Sequence, residues 1–263
     1  MNLFENSKRI VVKVGTSTLT HENGKLNLRT VNRLVRTLSD LRNSGKEIIL
    51  VSSGAIGVGV GKLNLTHKPY DIGGRQACAA VGQCELMYIY DKLFLEYGYV
   101  TGQVLLTRDI TEDEIRKRNV QNTFVRLLDM GALPVVNEND TVSTEELEFG
   151  DNDTLSAIVA GLTMSDTLIM LTDIDGLYDR NPRECESANL IHYVSEITDE
   201  IRSIAGGRGS TRGTGGMITK VQAAQMAMES GITAAIINGH DPENIYRLLD
   251  GEEIGTVFYN GRL

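Results

Sequence analysis

The first feature of this sequence that could do chemistry is a lysine beside a glycine turn. Lys13 lies near the end of the apolar run Ile10–Val14, and Gly15 follows that run directly. An ammonium group at a strand end is costly to bury alone, and a glycine lets backbone amides approach a ligand closely. Together they suit contact with a phosphate group, although a lysine that extends along the surface into solvent would give the same pattern.

A second cation follows a long glycine-rich loop. The segment 206–220, GGRGSTRGTGGMITK, contains six glycines and two arginines and leads into a helix with Lys220 in its first turn. Flexible backbone amides, a helix N-terminus and a cation are the components of a triphosphate site. The alternative is a flexible linker, which does not explain why the loop ends at a helix that carries Met217 and Lys220.

A third glycine turn lies at Ser52–Gly54, after an apolar run. The serine hydroxyls and the amides exposed at Gly54 would stand at the start of a helix, a geometry that binds carboxylate or phosphate. The helix continues with glycines at 57, 59 and 61, for which tight helix packing and ligand contact are equally good explanations.

Two loops are rich in acids and amides, VNEND at 136–140 and FGDND at 149–153. Asp140 can neutralise an ammonium group, and Asn137 and Asn152 can supply donors and acceptors for a carboxylate. Asp151 can cap the following helix, which is the structural alternative for one of these aspartates. Asp153 could orient lysine side chains near a transferring phosphoryl group.

A further polar segment, LTDIDGLYDRNPR, occupies positions 171–183. Thr172 and Asp173 could hydrogen-bond a nucleotide. The pair Asp175–Gly176 is a strong turn signal, so we expect the strand before it to run into a tight hairpin.

The elements that must position these residues alternate between β-branched runs and helical stretches, which is typical of a mostly parallel sheet covered on both faces. Predicted strands are Ile10–Val14, Glu47–Val51, Thr101–Leu106, Leu133–Val136, Thr167–Leu171 and Ala234–Ile237. Predicted helices include one with its apolar face from Val31 to Leu41, one from Met217 to Met228, and the stretches Asp113–Met130 and Thr154–Leu162. In such sheets ligands collect at the carboxyl ends of the strands, where the polar motifs fall. The sequence therefore predicts an α/β fold with an open sheet and its site at that edge.

Composition limits the possible classes of protein. The 263 residues carry a net charge of −9, which argues against a nucleic-acid groove. No apolar run approaches the roughly 20 residues that span a bilayer, and the N-terminus lacks the pattern of a signal peptide. The three cysteines match no metal spacing, so we expect free buried thiols in a cytoplasmic protein. One domain, 1–263, is expected. The P-loop, dinucleotide-binding and protein-kinase motifs are absent.

Taken in order, these strings resemble the amino-acid kinase family over nearly the whole chain. The matching strings are VVKVGTS (11–17), VSSGAI (51–56), AAVGQ (79–83), QVLLTR (103–108), VNEND, FGDND, MLTD (170–173), GLY (176–178) and GTGGMITK (213–220). VNEND, FGDND and GTGGM-x-TK form the diagnostic combination. The resemblance implies a single-domain, three-layer αβα sandwich.

The resemblance also implies roles for individual residues. Lys13 and Lys220 would stabilise the transferring phosphoryl group, and Asp153 would organise them. The acceptor would be held by Ser53, Gly54, Asn137, Asp140 and Asn152. ATP would be held by Lys13, Thr172, Asp173, Thr214, Gly215, Gly216, Met217, Ile218, Thr219 and Lys220. Mg²⁺ would be carried mainly by the phosphates of ATP, with no metal site of the protein's own.

The implied activity is ATP-dependent phosphorylation of the side-chain carboxylate of L-glutamate, the first step of proline biosynthesis. Feedback inhibition by proline and a homo-oligomer are further expectations, with no nucleic-acid or membrane partner. Many members carry a C-terminal PUA domain, and because this chain stops at Leu263 we expect that domain to be missing. Two alternatives remain open: a sibling kinase acting on another amino acid or carbamate, and a nucleotide-binding regulatory module without turnover.

Overall fold

The computed structural model describes residues 2–21, 25–142, 152–182, 184–185, 187–206 and 216–261, and all structural statements concern these residues. The strands are β1 Arg9–Val14, β2 Glu47–Ser52, β3 Thr101–Leu106, β4 Leu133–Glu138, β5 Thr167–Thr172, β6 Tyr193–Val194, β7 Thr233–Asn238 and β8 Thr256–Phe258. The helices are α1 Thr16–Leu19, α2 Leu28–Asn43, α3 Ala55–Lys62, α4 Ile72–Leu95, α5 Glu114–Asp129, α6 Asn152–Leu162, α7 Asp199–Ala205, α8 Met217–Glu229 and α9 Asn244–Leu249.

All eight described strands form a single sheet in the order β3-β4-β2-β1-β5-β7-β8-β6. The first strand lies in its interior, where β1 pairs in parallel with β2 on one side and β5 on the other. Only the pairing of β7 with β8 is antiparallel among the described strands. The mostly parallel open sheet predicted from sequence is confirmed.

The sheet is covered by helices on both faces, because successive residues of each interior strand point to opposite sides. Ile10 and Val12 pack into a cluster with α2, α3, α4 and α9. Val11 packs into a second cluster with α5, α6, α7 and α8. The strands are apolar on both faces for this reason, and the three-layer αβα sandwich is confirmed.

Helices α3 and α4 approach each other at two glycines. A Cβ atom on Gly59 would lie 1.9 Å from the carbonyl oxygen of Cys78, and one on Gly82 would lie 1.8 Å from that of Ala55. Each glycine therefore contacts the backbone of the opposite helix, which no larger residue could do. Tight helix packing explains Gly59, one of the three glycines for which two explanations were open.

Two smaller expectations are wrong. The tight hairpin predicted at Asp175–Gly176 does not form, because the chain continues and makes its antiparallel bridge between Tyr178 and Leu190. The cysteines are free, but only Cys78 is buried, since Cys84 lies on an exposed position of α4. Within the described residues, every helix is too short or too polar to cross a membrane.

Candidate active site

The site lies at the carboxyl edge of the sheet and begins with Lys13, the second-last residue of β1. The side chain of Lys13 is only 5% exposed, and its Nζ atom lies 2.6 Å from Oδ1 of Asp153. The alternative in which Lys13 extends to the surface is therefore wrong. A buried ammonium group needs such a partner, because desolvating a lone charge costs several kcal/mol.

Asp153 contacts a second buried lysine with its other oxygen. Nζ of Lys220, in the first turn of α8, lies 2.9 Å from Oδ2 of Asp153. The side chain of Asp153 is fully buried and belongs to the first turn of α6. One carboxylate thus contacts two ammonium groups, and we call Lys13, Asp153 and Lys220 the lysine–aspartate cluster. These three side chains carry a summed charge of +1, which suits an anion.

The start of α8 adds further polar groups to this cluster. Oγ1 of Thr219 lies 3.0 Å from Oδ2 of Asp153 and 2.7 Å from the carbonyl oxygen of Gly216. Gly216 occupies the N-cap position, and no side chain caps the helix. Met217 and Ile218 follow in the first turn and are half-buried. Thr214 and Gly215, also predicted to bind ATP, lie outside the described residues, as does Asp151.

Helices α3 and α8, which begin at the site, lack a side-chain cap, as do α1 and α9. Side chains of Asn27, Asp71, Asp113 and Thr198 cap α2, α4, α5 and α7. In contrast, α3 and α8 begin at glycines, Gly54 and Gly216, without a side-chain cap. The first amide groups of a helix have no partner within the helix and attract anions. Because no side chain caps α3 or α8, the first amide groups of these two helices are left accessible to a ligand.

The turn between β2 and α3 is held in a conformation that requires glycine. Gly54 has a φ of +103°, a region that residues with a Cβ rarely adopt. Ser53 donates its backbone N–H to the carbonyl oxygen of Val14, which joins this turn to the end of β1. Ser53 and Gly54 are thereby placed next to the strand that carries Lys13.

The amides of Asn137 and Asn152 form the centre of a second group of polar side chains. Nδ2 of Asn152 lies 2.7 Å from Oδ1 of Asn137, 2.9 Å from the carbonyl oxygen of Ser52 and 3.1 Å from Oγ of Ser53. Both asparagines are buried. The structure therefore brings together three residues predicted to bind the acceptor: Ser53, Asn137 and Asn152.

Helix α4 supplies two polar side chains to this group that sequence reasoning did not identify. Oε1 of Gln83 accepts a hydrogen bond of 2.7 Å from Nδ2 of Asn137. Tyr90 is fully buried and its hydroxyl lies 2.9 Å from Oγ of Ser52. Burial raises the pKa of Tyr90 well above its usual value, so the hydroxyl stays protonated. The available signal was their spacing of seven residues, which puts both on one face of the helix.

Asp140, the remaining predicted acceptor residue, is half-buried beyond the end of β4. Its charge acts on Lys68: desolvation lowers the pKa of Lys68, the charge of Arg75 lowers it further, and the charge of Asp140 raises it. Asp140 thus lies near Lys68, a cation that was not assigned from sequence.

The ends of β5 and β7 present a third set of polar groups. Oγ1 of Thr172 lies 3.3 Å from Oδ1 of Asp173. The carboxylate of Asp175 accepts hydrogen bonds from Nδ2 of Asn238, at 2.8 Å, and from the hydroxyl of Tyr178, at 3.0 Å. Asp175, expected only to form a turn, joins two elements at the edge where Thr172 and Asp173 also lie.

Comparison with solved structures places this fold among known kinases. The isopentenyl phosphate kinase of T. acidophilum is similar over 95% of this chain and 100% of its own, with a TM-score of 0.65 and 18% identity. The UMP kinase of Ureaplasma parvum is similar over 97% of this chain and 99% of its own, with a TM-score of 0.65 and 14% identity. At these identities the likeness shows the fold alone.

Sequence comparison gives the family. The model of the amino acid kinase family matches residues 8–238, and the chain belongs to that family. Curated relatives include the glutamate 5-kinase of Clostridium perfringens, 57% identical over 259 residues that cover 97% of this chain and 96% of the relative. The glutamate 5-kinase of Caldanaerobacter subterraneus subsp. tengcongensis is 55% identical over 250 residues, which cover 95% of this chain and 67% of the relative.

Proposed function

We propose that this protein transfers the γ-phosphoryl group of ATP to the side-chain carboxylate of L-glutamate, giving L-glutamyl 5-phosphate in proline biosynthesis. Identity of 57% to a glutamate 5-kinase over almost the full length of both chains supports the choice of acceptor. The observation that carries phosphoryl transfer is the lysine–aspartate cluster, in which two buried ammonium groups are fixed by one carboxylate.

The cluster suits this reaction because a carboxylate is already a nucleophile and needs no general base. Its oxygen attacks the γ-phosphorus, the bond to the β-phosphate oxygen breaks, and ADP leaves with that electron pair. Catalysis then consists of aligning two anions and stabilising the charge between them. Lys13 and Lys220 would supply positive charge from two directions, and Asp153 would keep both ammonium groups in place.

ATP would lie against the start of α8, with Thr214, Gly215, Gly216, Met217, Ile218 and Thr219 along its phosphates and Thr172 and Asp173 at the end of β5. Because Lys13 and Lys220 contact both oxygens of Asp153, this carboxylate does not fit as a metal ligand. Mg²⁺ fits better on the phosphates of ATP, where it commonly keeps phosphate and water ligands. Bound there, it would neutralise charge on the transferring group.

The acceptor would be held by the side of the site that carries the amides of Asn137 and Asn152, which we call the amide-rich side. Asn152, Asn137, Ser53 and the amides at Gly54 offer donors and acceptors to its polar groups, and Asp140 would pair with its α-ammonium group. Because the product is a reactive acyl phosphate, the buried position of the cluster also serves to exclude water. We further propose a single domain of residues 1–263, a cytoplasmic location and assembly into a homo-oligomer.

The test of this proposal is to trap the product. With ATP, Mg²⁺ and glutamate, hydroxylamine should convert the acyl phosphate to glutamyl hydroxamate, formed in step with ADP. Aspartate, N-acetylglutamate, carbamate and UMP serve as competing acceptors under the same conditions. Greater ADP formation with any of these than with glutamate would refute the assignment of the acceptor.

A further inference from the structure

The orientation of two side-chain amides at the site is fixed by backbone groups. Oδ1 of Asn137 accepts from the backbone N–H of Glu138 at 2.9 Å, and a backbone N–H can only donate. Nδ2 of Asn152 donates to the backbone carbonyl of Ser52 at 2.9 Å, and a carbonyl can only accept. Exchanging the oxygen and nitrogen positions within either amide would lose these hydrogen bonds. The positions of the oxygen and the nitrogen are therefore determined in both side chains.

This assignment extends to Gln83 on α4. Because the oxygen of Asn137 faces Glu138 and Asn152, its nitrogen faces Gln83 and donates to Oε1. The Nε2 group of Gln83 therefore lies on the side of its amide away from Asn137. It donates no hydrogen bond to any residue in the described part of the chain. Gln83 is half-buried, so a pair of N–H donors remains available next to the predicted acceptor residues.

The charge on the same helix favours an anion at these donors. Arg75 precedes Gln83 by eight residues on α4, just over two helical turns, so both lie on one side of the helix. Nε of Arg75 is buried and has no hydrogen-bond partner within the described residues. Lys68 lies close enough to Arg75 for the two charges to interact. An amide donor on the helix that also carries the cation Arg75 matches a carboxylate, whereas Asp140 matches an ammonium group.

We propose that Gln83 is a substrate-binding residue whose Nε2 group donates to the α-carboxylate of the acceptor amino acid. The inference rests on the proposed function, since it concerns the same acceptor. Gln83 belongs to the layer of helices opposite α6 and α8, which carry Asp153 and Lys220. The reacting carboxylate would lie at the lysine–aspartate cluster, and the α-carboxylate would lie at α4.

Two variants of opposite character test this role. Gln83→Glu keeps an acceptor for Asn137 and removes the donor, whereas Gln83→Lys keeps a donor and removes the acceptor. Losing a hydrogen bond to a charged group corresponds to about a 10- to 100-fold rise in KM for glutamate in Gln83→Glu. KM for ATP should change by less than about twofold. Gln83→Lys should retain tighter glutamate binding than Gln83→Glu.

Cys84→Glu is the matched control, because it adds the same charge at the neighbouring exposed position of α4. Its KM for glutamate should equal that of the wild type.

4-Aminobutyrate lacks the α-carboxylate, so its inhibition constant should be the same in wild type and Gln83→Glu. If Gln83 only held Asn137, Gln83→Lys would have the higher KM for glutamate of the two variants. That order would overturn the proposed role of Gln83. Wild-type activity with glutamate would still uphold the proposed function. A wild type inactive with glutamate would overturn both.

Discussion

At Asp153, a single buried carboxylate contacts the ammonium groups of two lysines from distant parts of the sequence. Loss of one lysine leaves the carboxylate its other partner, so we expect either lysine variant to fold. Loss of the carboxylate would leave two buried ammonium groups to repel each other, a larger perturbation of both structure and chemistry. The three residues are therefore not equivalent targets for mutation.

Lys13→Ala and Lys220→Ala should each lower kcat by about 100-fold or more, because a donor aimed at charge that develops in the transition state is worth about 3–4 kcal/mol. Steady-state kinetics with the hydroxamate assay measure this effect. The double variant should lose less than the product of the single losses, since both lysines act on one group.

Lys117→Ala on α5 is the control for these variants, because Lys117 pairs with Glu114 on the exposed surface and such pairs contribute less than about 1 kcal/mol. Thermal unfolding establishes that each variant is folded. Near-normal kcat in either single variant would remove that lysine from the mechanism, and near-normal kcat in both would contradict the proposed role of the cluster.

At this scale, residue type and motif position were sufficient to predict Lys13, Asp153 and Lys220 as one site. They were not sufficient to predict Gln83, Tyr90 or Arg75 as residues of interest, because those side chains are placed only by the packing of α4 on α3. The exposure of Lys13 also could not be decided from sequence, since a buried and a solvated lysine have the same local pattern.

At the scale of the elements, the position of α4 depends on its close contact with α3. Gly59 and Gly82 each contact the backbone of the opposite helix, so neither helix can tolerate a methyl group there without moving. Gln83 and Tyr90 are carried on α4, so this contact also determines where two side chains of the amide-rich side lie.

Gly59→Ala should lower the free energy of unfolding by about 1–3 kcal/mol, because an added Cβ would lie 1.9 Å from a carbonyl oxygen of α4 and overpacking has that cost. Gly57→Ala is a matched control in the same helix, since its Cβ would meet only Cγ2 of Thr16, at 3.6 Å. That variant should be unchanged or more stable by up to about 1 kcal/mol. Urea denaturation measures both, and equal stability of the two variants would contradict the contact.

The six predicted strands agree with the structure to within two residues at either end. Strands β6 and β8 were missed because they have two and three residues, too few for a repeating pattern to appear. Their pairing depends on tertiary contacts rather than on local propensity, since β8 pairs with β7 and β6 pairs with β8.

At the scale of the whole molecule, the proposed acceptor pocket should also admit proline, which shares an α-carboxylate and a cationic nitrogen with glutamate. We expect proline to inhibit by competition with glutamate.

Asp140→Ala should weaken the binding of glutamate and of proline by roughly 2–5 kcal/mol, the usual cost of removing one partner of a desolvated ion pair. The same variant should leave ATP binding intact. Initial rates over a grid of both amino acids measure this. Inhibition that excess glutamate does not relieve would contradict a shared pocket, and an equal loss of ATP affinity would place Asp140 elsewhere.

The interior position of β1 has a consequence for how the protein is made. Among the described strands, β1 is synthesised before the others, yet Ile10 pairs with Thr167 of β5, which follows on the order of 10 s later at usual rates of synthesis. Throughout that interval one edge of an apolar strand lacks its neighbour, and such edges invite pairing with other chains. Arg9 and Lys13 lie within this strand, and charged residues discourage such association. In the nascent chain, we therefore expect the lysine that is later buried beside Asp153 to reduce pairing of this open edge with other chains.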